Sequence, residues 1–119
     1  MPSIRDLISA IQGREGVEAA IVLGRDGLLI DSQIAPGGSL DADDIAARIP
    51  AIVAAADDLG QASGRGELWS TVLEHRDGFA IASVLSPEAI LLVLVGRNAN
   101  VGQLLFELRR NREHIAALV

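Results

Sequence analysis

The sequence predicts an α+β fold, an antiparallel sheet of five strands with helices on both faces. Short β-prone segments are joined by links of hairpin length, which favours antiparallel pairing. Segments with apolar residues at helical spacing stand before, between and after these strands. Residues 89–95 are apolar at every position. They are therefore expected to form a central strand that is covered on both sides.

Length and composition restrict the class of protein. A chain of 119 residues, half of them hydrophobic, is expected to be one folded domain over residues 1–119. The net charge of −6 argues against nucleic acid as a partner, because such binders need a local excess of cations. The absence of cysteine excludes disulfides and thiolate metal sites. The start does not resemble a signal peptide, and no apolar run approaches the roughly 20 residues of a membrane span. We therefore expect a cytoplasmic protein that makes no membrane contact.

The first half of the chain predicts a helix, a hairpin and a longer helix. Ser3 and Asp6 fit a capping box, and the apolar stripe that follows ends at Gly13 and Gly16. Residues 17–23 and 28–32 read as strands joined by a turn at residues 24–27. Asp41 is placed to cap the second helix, which is expected to run to about Leu59 and to stop at Gly60.

The second half predicts three more strands and a last helix. After a glycine-rich connector at residues 60–66, strands are expected at residues 68–75, 79–85 and 89–95. Asn100 is placed to cap the last helix, whose apolar positions are Val101, Leu104, Leu105, Leu108 and Ile115. Arg112 falls within this apolar stripe, where its side chain is expected to extend past the sheet edge.

The second helix is apolar on two sides. The side expected to pack on the sheet carries Ile45, Ile49, Ile52, Ala56 and Leu59. The opposite side carries Ala47, Ala51 and Ala54, so we expect a second copy of the chain to cover it. Arg48, beside these alanines, is placed to reach a carboxylate across that interface. The alternative is an exposed helix that is rich in alanine because alanine favours helices.

Two further residues stand out in the expected interface region. Pro50 lies inside the second helix and predicts either a kink or a regular helix that begins near it. Trp69 begins the third strand, which is expected at the edge of the sheet, where an uncovered strand invites pairing with a second chain. A tryptophan at this position fits either an interface or the core of the subunit.

The order of elements and two motifs resemble the Roadblock family, the dynein-light-chain-like regulators that include bacterial MglB-type proteins. The first motif is Gly16-Val17-Glu18-Ala19-Ala20-Ile21-Val22-Leu23 followed by Arg25-Asp26-Gly27-Leu28-Leu29, which is similar to the first hairpin of the family. The second is Asn98-Ala99-Asn100-Val101-Gly102-Gln103-Leu104, which is similar to the entry into its last helix.

This resemblance implies an α-β-α sandwich, with one helix on one face of the sheet and the two terminal helices on the other. It also implies a homodimer formed through the central helix and the third strand. The candidate interface residues are Ala47, Arg48, Ala51, Ala54, Trp69 and Thr71. The resemblance further implies a GTPase partner, since bacterial relatives often bind a Ras-like small GTPase of the MglA type, and some accelerate its GTP hydrolysis. We therefore expect a scaffold that binds such a GTPase and modulates its activity.

No set of residues predicts catalysis or a cofactor. Residues 24–27 lack the Gly-Lys-Ser/Thr ending of a phosphate loop and read as a hairpin turn. His75 and His114 have no second ligand at metal spacing and are expected to be exposed. Asp41, Asp43 and Asp44 suit the first turn of a helix. Two alternative functions remain open: an assembly module of another bacterial signalling system, and a small-molecule sensor.

Overall fold

The computed structural model describes residues 3–119, so the first two residues of the predicted domain lie outside the described residues. The elements in chain order are α1 Ile4–Gln12, β1 Val17–Gly24, β2 Leu29–Ile34, α2 Ala42–Ala62, β3 Ser70–His75, β4 Gly78–Val84, β5 Ala89–Gly96, α3 Val101–Arg110 and α4 Arg112–Ala116. The order of helices and strands up to α3 is the predicted one.

The five strands form one antiparallel sheet in the order β2-β1-β5-β4-β3. Strand β5 lies in the middle, between β1 and β4, and is buried along most of its length. This confirms the central position that its unbroken apolar sequence predicted. The turn at residues 24–27 joins β1 to β2, with Gly24 N–H donating to the Leu28 carbonyl at 2.9 Å. The segment is therefore a hairpin turn, as predicted.

Two hydrophobic cores lie on opposite faces of the sheet. One contains residues of α1, α3 and α4, such as Ile8, Leu104 and Ile115. The other contains Ile49 and Val53 of α2. The predicted sandwich, with one helix on one face and the terminal helices on the other, is confirmed.

Three helices are capped at their N-termini by the predicted side chains. Ser3 and Asp6 form a complete capping box at the start of α1. The Asp41 carboxylate accepts the Asp44 N–H at 3.1 Å, and the Asn100 side-chain oxygen accepts the Gln103 N–H at 3.0 Å. These bonds satisfy backbone donors that the first helical turn leaves without a partner.

Helix α2 differs from its predicted extent. It is continuous through Pro50, so its regular part does not begin there. It also continues through Gly60 and ends at Ala62, so the prediction that it stops at Gly60 is wrong. The chain folds back after the helix, and Arg65 N–H donates to the Gly60 carbonyl at 2.8 Å. A Cβ atom at position 60 would collide with the Gly66 carbonyl oxygen. Gly60 therefore permits the return of the chain and does not end the helix.

The predicted last helix is two helices, α3 and α4, separated at Asn111. The Asn111 side-chain amide donates to the Glu107 carbonyl at 2.9 Å, which is a local bond that competes with continued helix. The break directs Arg112, at the start of α4, over the ring of Trp69 at 4.9 Å from its centroid. Arg112 is only partly buried there, in agreement with the expectation that it extends past the sheet edge.

We expect Gly60→Ala to lower the free energy of unfolding by about 1–3 kcal/mol, because its methyl group overlaps the Gly66 backbone. The matched control is Gly102→Ala in α3, where the nearest atom to the added carbon is 3.8 Å away. That change should raise the free energy of unfolding by about 0.4–1 kcal/mol. Urea denaturation of both variants measures the difference, and a stabilised Gly60→Ala variant would contradict this packing.

We expect Ile49→Glu to prevent folding, because the side chain is 6% exposed and faces the sheet, where a carboxylate finds no partner. Ile49→Val at the same position should lose only about 0.5–1.5 kcal/mol. Circular dichroism distinguishes the two results. A folded Ile49→Glu variant would show that α2 does not pack on the sheet through this residue.

Candidate partner interface

The outer side of α2 carries the three predicted alanines, Ala47, Ala51 and Ala54, all of them exposed in the single chain. Ile49 and Val53 occupy the inner side and are buried. The arrangement agrees with a helix that is apolar on both sides. Whether a second copy covers the outer side remains a prediction.

Leu59 is the residue of α2 that the sequence placed wrongly. It was expected to pack on the sheet, but its side chain is 68% exposed. The reason is that the end of α2 lies against the returning segment of the chain, where Gly60 meets Gly66, and not against the strands. The sequence does indicate this exposure, because at 100° per residue Leu59 lies about 80° around the helix from Ile49, which is buried on the inner side.

Arg48 forms an ion pair within its own helix. Its guanidinium contacts the Asp44 carboxylate one turn earlier, with Nη2 at 3.2 Å from Oδ1. Both side chains are exposed, and exposed pairs of this kind contribute about 0.3–0.5 kcal/mol. Arg48 is therefore held at the border of the alanine side by a weak contact that another carboxylate would readily replace.

Strand β3 lies at the edge of the sheet, as predicted. The Val84 N–H donates to the Trp69 carbonyl at 2.9 Å, and the register pairs Thr71 with Ala82. In an antiparallel pair, residues that bond to the neighbouring strand alternate with residues that do not. Thr71 therefore directs its backbone groups to β4, whereas Ser70 and Val72 direct theirs to the open edge. These groups are available for pairing with another strand.

Trp69 is exposed at the beginning of this edge. Its side chain is 57% exposed and lies beneath the guanidinium of Arg112, so the alternative that it belongs to the core is wrong. An open cleft of about 790 Å³ joins Trp69 and Thr71 to Leu59 at the end of α2. The end of α2 and the beginning of β3 therefore line one cleft. We use the name α2–β3 surface for the outer side of α2 together with the beginning of β3, defined by Ala47, Ala51, Ala54, Leu59, Trp69 and Thr71.

His75 and His114 are exposed, as expected. Residues 3–119 contain no group of three histidine, cysteine, aspartate or glutamate side chains that is arranged to hold a metal ion. A cleft of about 630 Å³ lies beside the start of α3. Its two arginines are already engaged, Arg14 by Glu107 and Arg97 by the His75 carbonyl at 3.3 Å. Between residues 3 and 119, no helix is long and apolar enough to cross a membrane.

Comparison with known proteins places this geometry in a family. Residues 4–95 match the model of the Roadblock/LC7 domain. The match includes the first hairpin motif and ends before the motif at residues 98–104. The uncharacterized protein MJ1340 of Methanocaldococcus jannaschii is 35% identical over 104 residues, which are 87% of this chain and 89% of that protein.

Solved structures share the fold at lower identity. The gliding protein MglB of Thermus thermophilus superposes with a TM-score of 0.85 at 16% identity, covering 97% of this chain and 87% of that chain. A Roadblock/LC7 domain of Streptomyces avermitilis gives a TM-score of 0.82 at 22% identity, covering 98% and 97% of the two chains. These similarities establish the fold of the present chain.

We expect the double variant Ala51→Glu with Ala54→Glu to stay folded and to be monomeric. Two carboxylates on the outer side of α2 tolerate water but oppose burial against a second helix. Circular dichroism and light scattering measure the two properties. Ala10→Glu, on the exposed side of α1, is the matched control and should not change the mass. A double variant that remains dimeric would place the interface elsewhere.

Proposed function

The chain belongs to the Roadblock/LC7 domain family, and from that premise we propose that it is a homodimeric scaffold that binds a Ras-like small GTPase. We propose that it acts in the cytoplasm and without catalytic chemistry of its own. Its effect on the GTPase is then to position it and to modulate its hydrolysis of GTP.

The α2–β3 surface is the observation that carries the homodimer. A helix of 21 residues normally presents charged residues to water along its outer side. Here the middle of that side is alanine, and the next large residue along it is the exposed Leu59. A second copy presents the same surface, and an isologous contact between equal surfaces is the commonest way to cover it.

The edge of β3 supports the same arrangement. The backbone groups of Ser70 and Val72 point away from the sheet, and Val72 is 38% exposed. Two β3 strands that pair in an antiparallel manner would satisfy these groups and remove an open edge from each subunit. Trp69 lies at the beginning of this edge, and tryptophan is a frequent centre of binding energy in interfaces.

The GTPase partner is supported by the family and by the MglB proteins among the structural neighbours. As the resemblance implies, bacterial MglB-type proteins work on a Ras-like GTPase of the MglA type. The present chain has the same arrangement of helices and strands over almost its whole length. A dimer also carries two copies of any docking site that a subunit has, and two sites suit a scaffold.

The test mixes the purified chain with the small Ras-like GTPase of its own genome, loaded with GDP or with a GTP analogue. We expect co-elution in size-exclusion chromatography in at least one nucleotide state. We also expect a complex with the monomeric Ala51→Glu, Ala54→Glu variant to be weaker, because a single subunit offers one docking site. Failure to bind in both nucleotide states, while the chain is dimeric, would instead favour an assembly module without a GTPase.

A further inference from the structure

The junction between α3 and α4 carries a group of positive charges. Arg109 and Arg110 end α3, and Arg112 begins α4. Within residues 3–119, none of these three arginines takes part in an ion pair, whereas five other arginines are each paired with an aspartate or a glutamate. The charges at this junction are therefore available to a partner of opposite charge.

The acids near the junction do not cancel these charges. Glu107 of α3 is already paired with Arg14, in the loop after α1. Glu67 lines the neighbouring cleft together with Arg65, so these two opposite charges balance. Glu113 alone adds an exposed acid directly beside the group. Since the whole chain has a net charge of −6, the junction is a basic region on an acidic protein.

Two exposed aromatic rings accompany these arginines. Phe106 is 60% exposed, and the Arg110 guanidinium lies 5.8 Å from the centroid of its ring, as Arg112 lies over Trp69. Arg109 connects the two rings, because it follows Phe106 by one helical turn and lines the cleft that contains Trp69. We call these five residues, Trp69, Phe106, Arg109, Arg110 and Arg112, the arginine–aromatic patch.

Most of the patch lies across the sheet from α2. The inner side of α3 buries Leu104 and Leu108 in the core that contains α1, whereas α2 packs in the other core. Trp69, at the edge of the sheet, is the one member that the patch shares with the α2–β3 surface. The proposed homodimer therefore does not need Phe106 or the three arginines, and they require a separate explanation.

The chemistry of the patch suits a short acidic segment of another protein. Guanidinium groups bind carboxylates through pairs of parallel hydrogen bonds. A guanidinium that already lies on an aromatic ring is held in position, so it loses less freedom when a carboxylate binds. The exposed rings of Phe106 and Trp69 add apolar area for a side chain of the same segment.

The charge of the remaining surface argues against larger polyanions. A nucleic acid or an anionic membrane extends well beyond the patch, where acidic residues of the chain outnumber basic ones. Basic clusters that bind anionic lipids contain about four to eight lysines and arginines, which is more than the three arginines of the patch. A short peptide segment meets the patch alone, because repulsion from more distant charges is screened within about 10 Å.

We propose that the arginine–aromatic patch is a docking site for an acidic segment of a partner protein. Arg109, Arg110 and Arg112 bind the carboxylates of this segment, and Phe106 contacts an apolar side chain between them. The site goes beyond the proposed binding of a GTPase, and it depends neither on that partner nor on the homodimer. It gives the subunit a second interaction surface, on the face of the sheet opposite α2.

Fluorescence anisotropy with a labelled peptide tests the site. The probe has a leucine between runs of aspartate and glutamate, and the control peptide has asparagine and glutamine in their place. We expect the acidic peptide to bind the full chain with a dissociation constant at least about tenfold lower than that of the control peptide, and to bind more weakly as salt is added. The monomeric Ala51→Glu, Ala54→Glu variant should bind the acidic peptide equally well.

Variants of exposed residues locate the contact. Arg110→Glu should raise the dissociation constant of the acidic peptide about tenfold or more, and Phe106→Ala about threefold to tenfold. The matched control is Arg76→Glu, an equal change of charge at an exposed arginine in the turn between β3 and β4, which should have little effect. Circular dichroism checks that each variant is folded.

Three results would overturn the docking site. The first is equal binding of the acidic and the neutral peptide, which includes no binding of either. The second is an equal effect of Arg110→Glu and Arg76→Glu, because general attraction would then explain the binding. The third is a stronger affinity for phosphatidylserine vesicles or for a single-stranded oligonucleotide than for the acidic peptide, which would assign the patch to a membrane or to a nucleic acid.

Discussion

The structure depends on the burial of β5 on both faces. Its residues are apolar throughout, and it lies between β1 and β4 in the middle of the sheet. Both faces of the sheet must therefore be covered. Three helices share one face, whereas α2 covers the other with buried residues such as Ile49 and Val53. The long, uninterrupted α2 is the consequence of this unequal division.

The unequal division also explains where an interface can form. A helix that covers one face of a sheet alone has no other helix beside it in the described subunit. Its outer side is free for a partner, and here that side is alanine in the middle and charged towards its ends. The edge of β3 and the exposed Trp69 lie beside the end of this helix. Family membership and the exposed residues of α2 therefore lead to the same proposal by separate routes.

The sequence predicted those features that depend on local rules. Capping residues such as Ser3 and Asp41 marked helix starts, and the alternation of apolar segments with short turns predicted the sheet and its central strand. The errors concern contacts between distant segments. Gly60 resembles a helix end, but it permits the return of the chain against Gly66. Leu59 matches the inner stripe approximately, but the strands do not extend beneath it. Such contacts become visible only when the chain is folded.

The candidate site was predictable as a set of residues but not as a surface. The alanines of α2 and the edge position of β3 were expected, whereas the cleft that joins Leu59 to Trp69 depends on the tertiary fold. Solved structures share the fold at 15 to 22% identity, and a shared fold does not by itself determine a partner. Partner choice is therefore expected to depend on exposed residues that differ between members of the family.

The central claim is that a second copy covers the outer side of α2. Sedimentation equilibrium of the unchanged chain over a range of concentrations tests it most directly, since the mass of one chain is 12.5 kDa. The account predicts an association to twice this mass and no further. A single species at the mass of one chain, even at the highest concentrations, would contradict it.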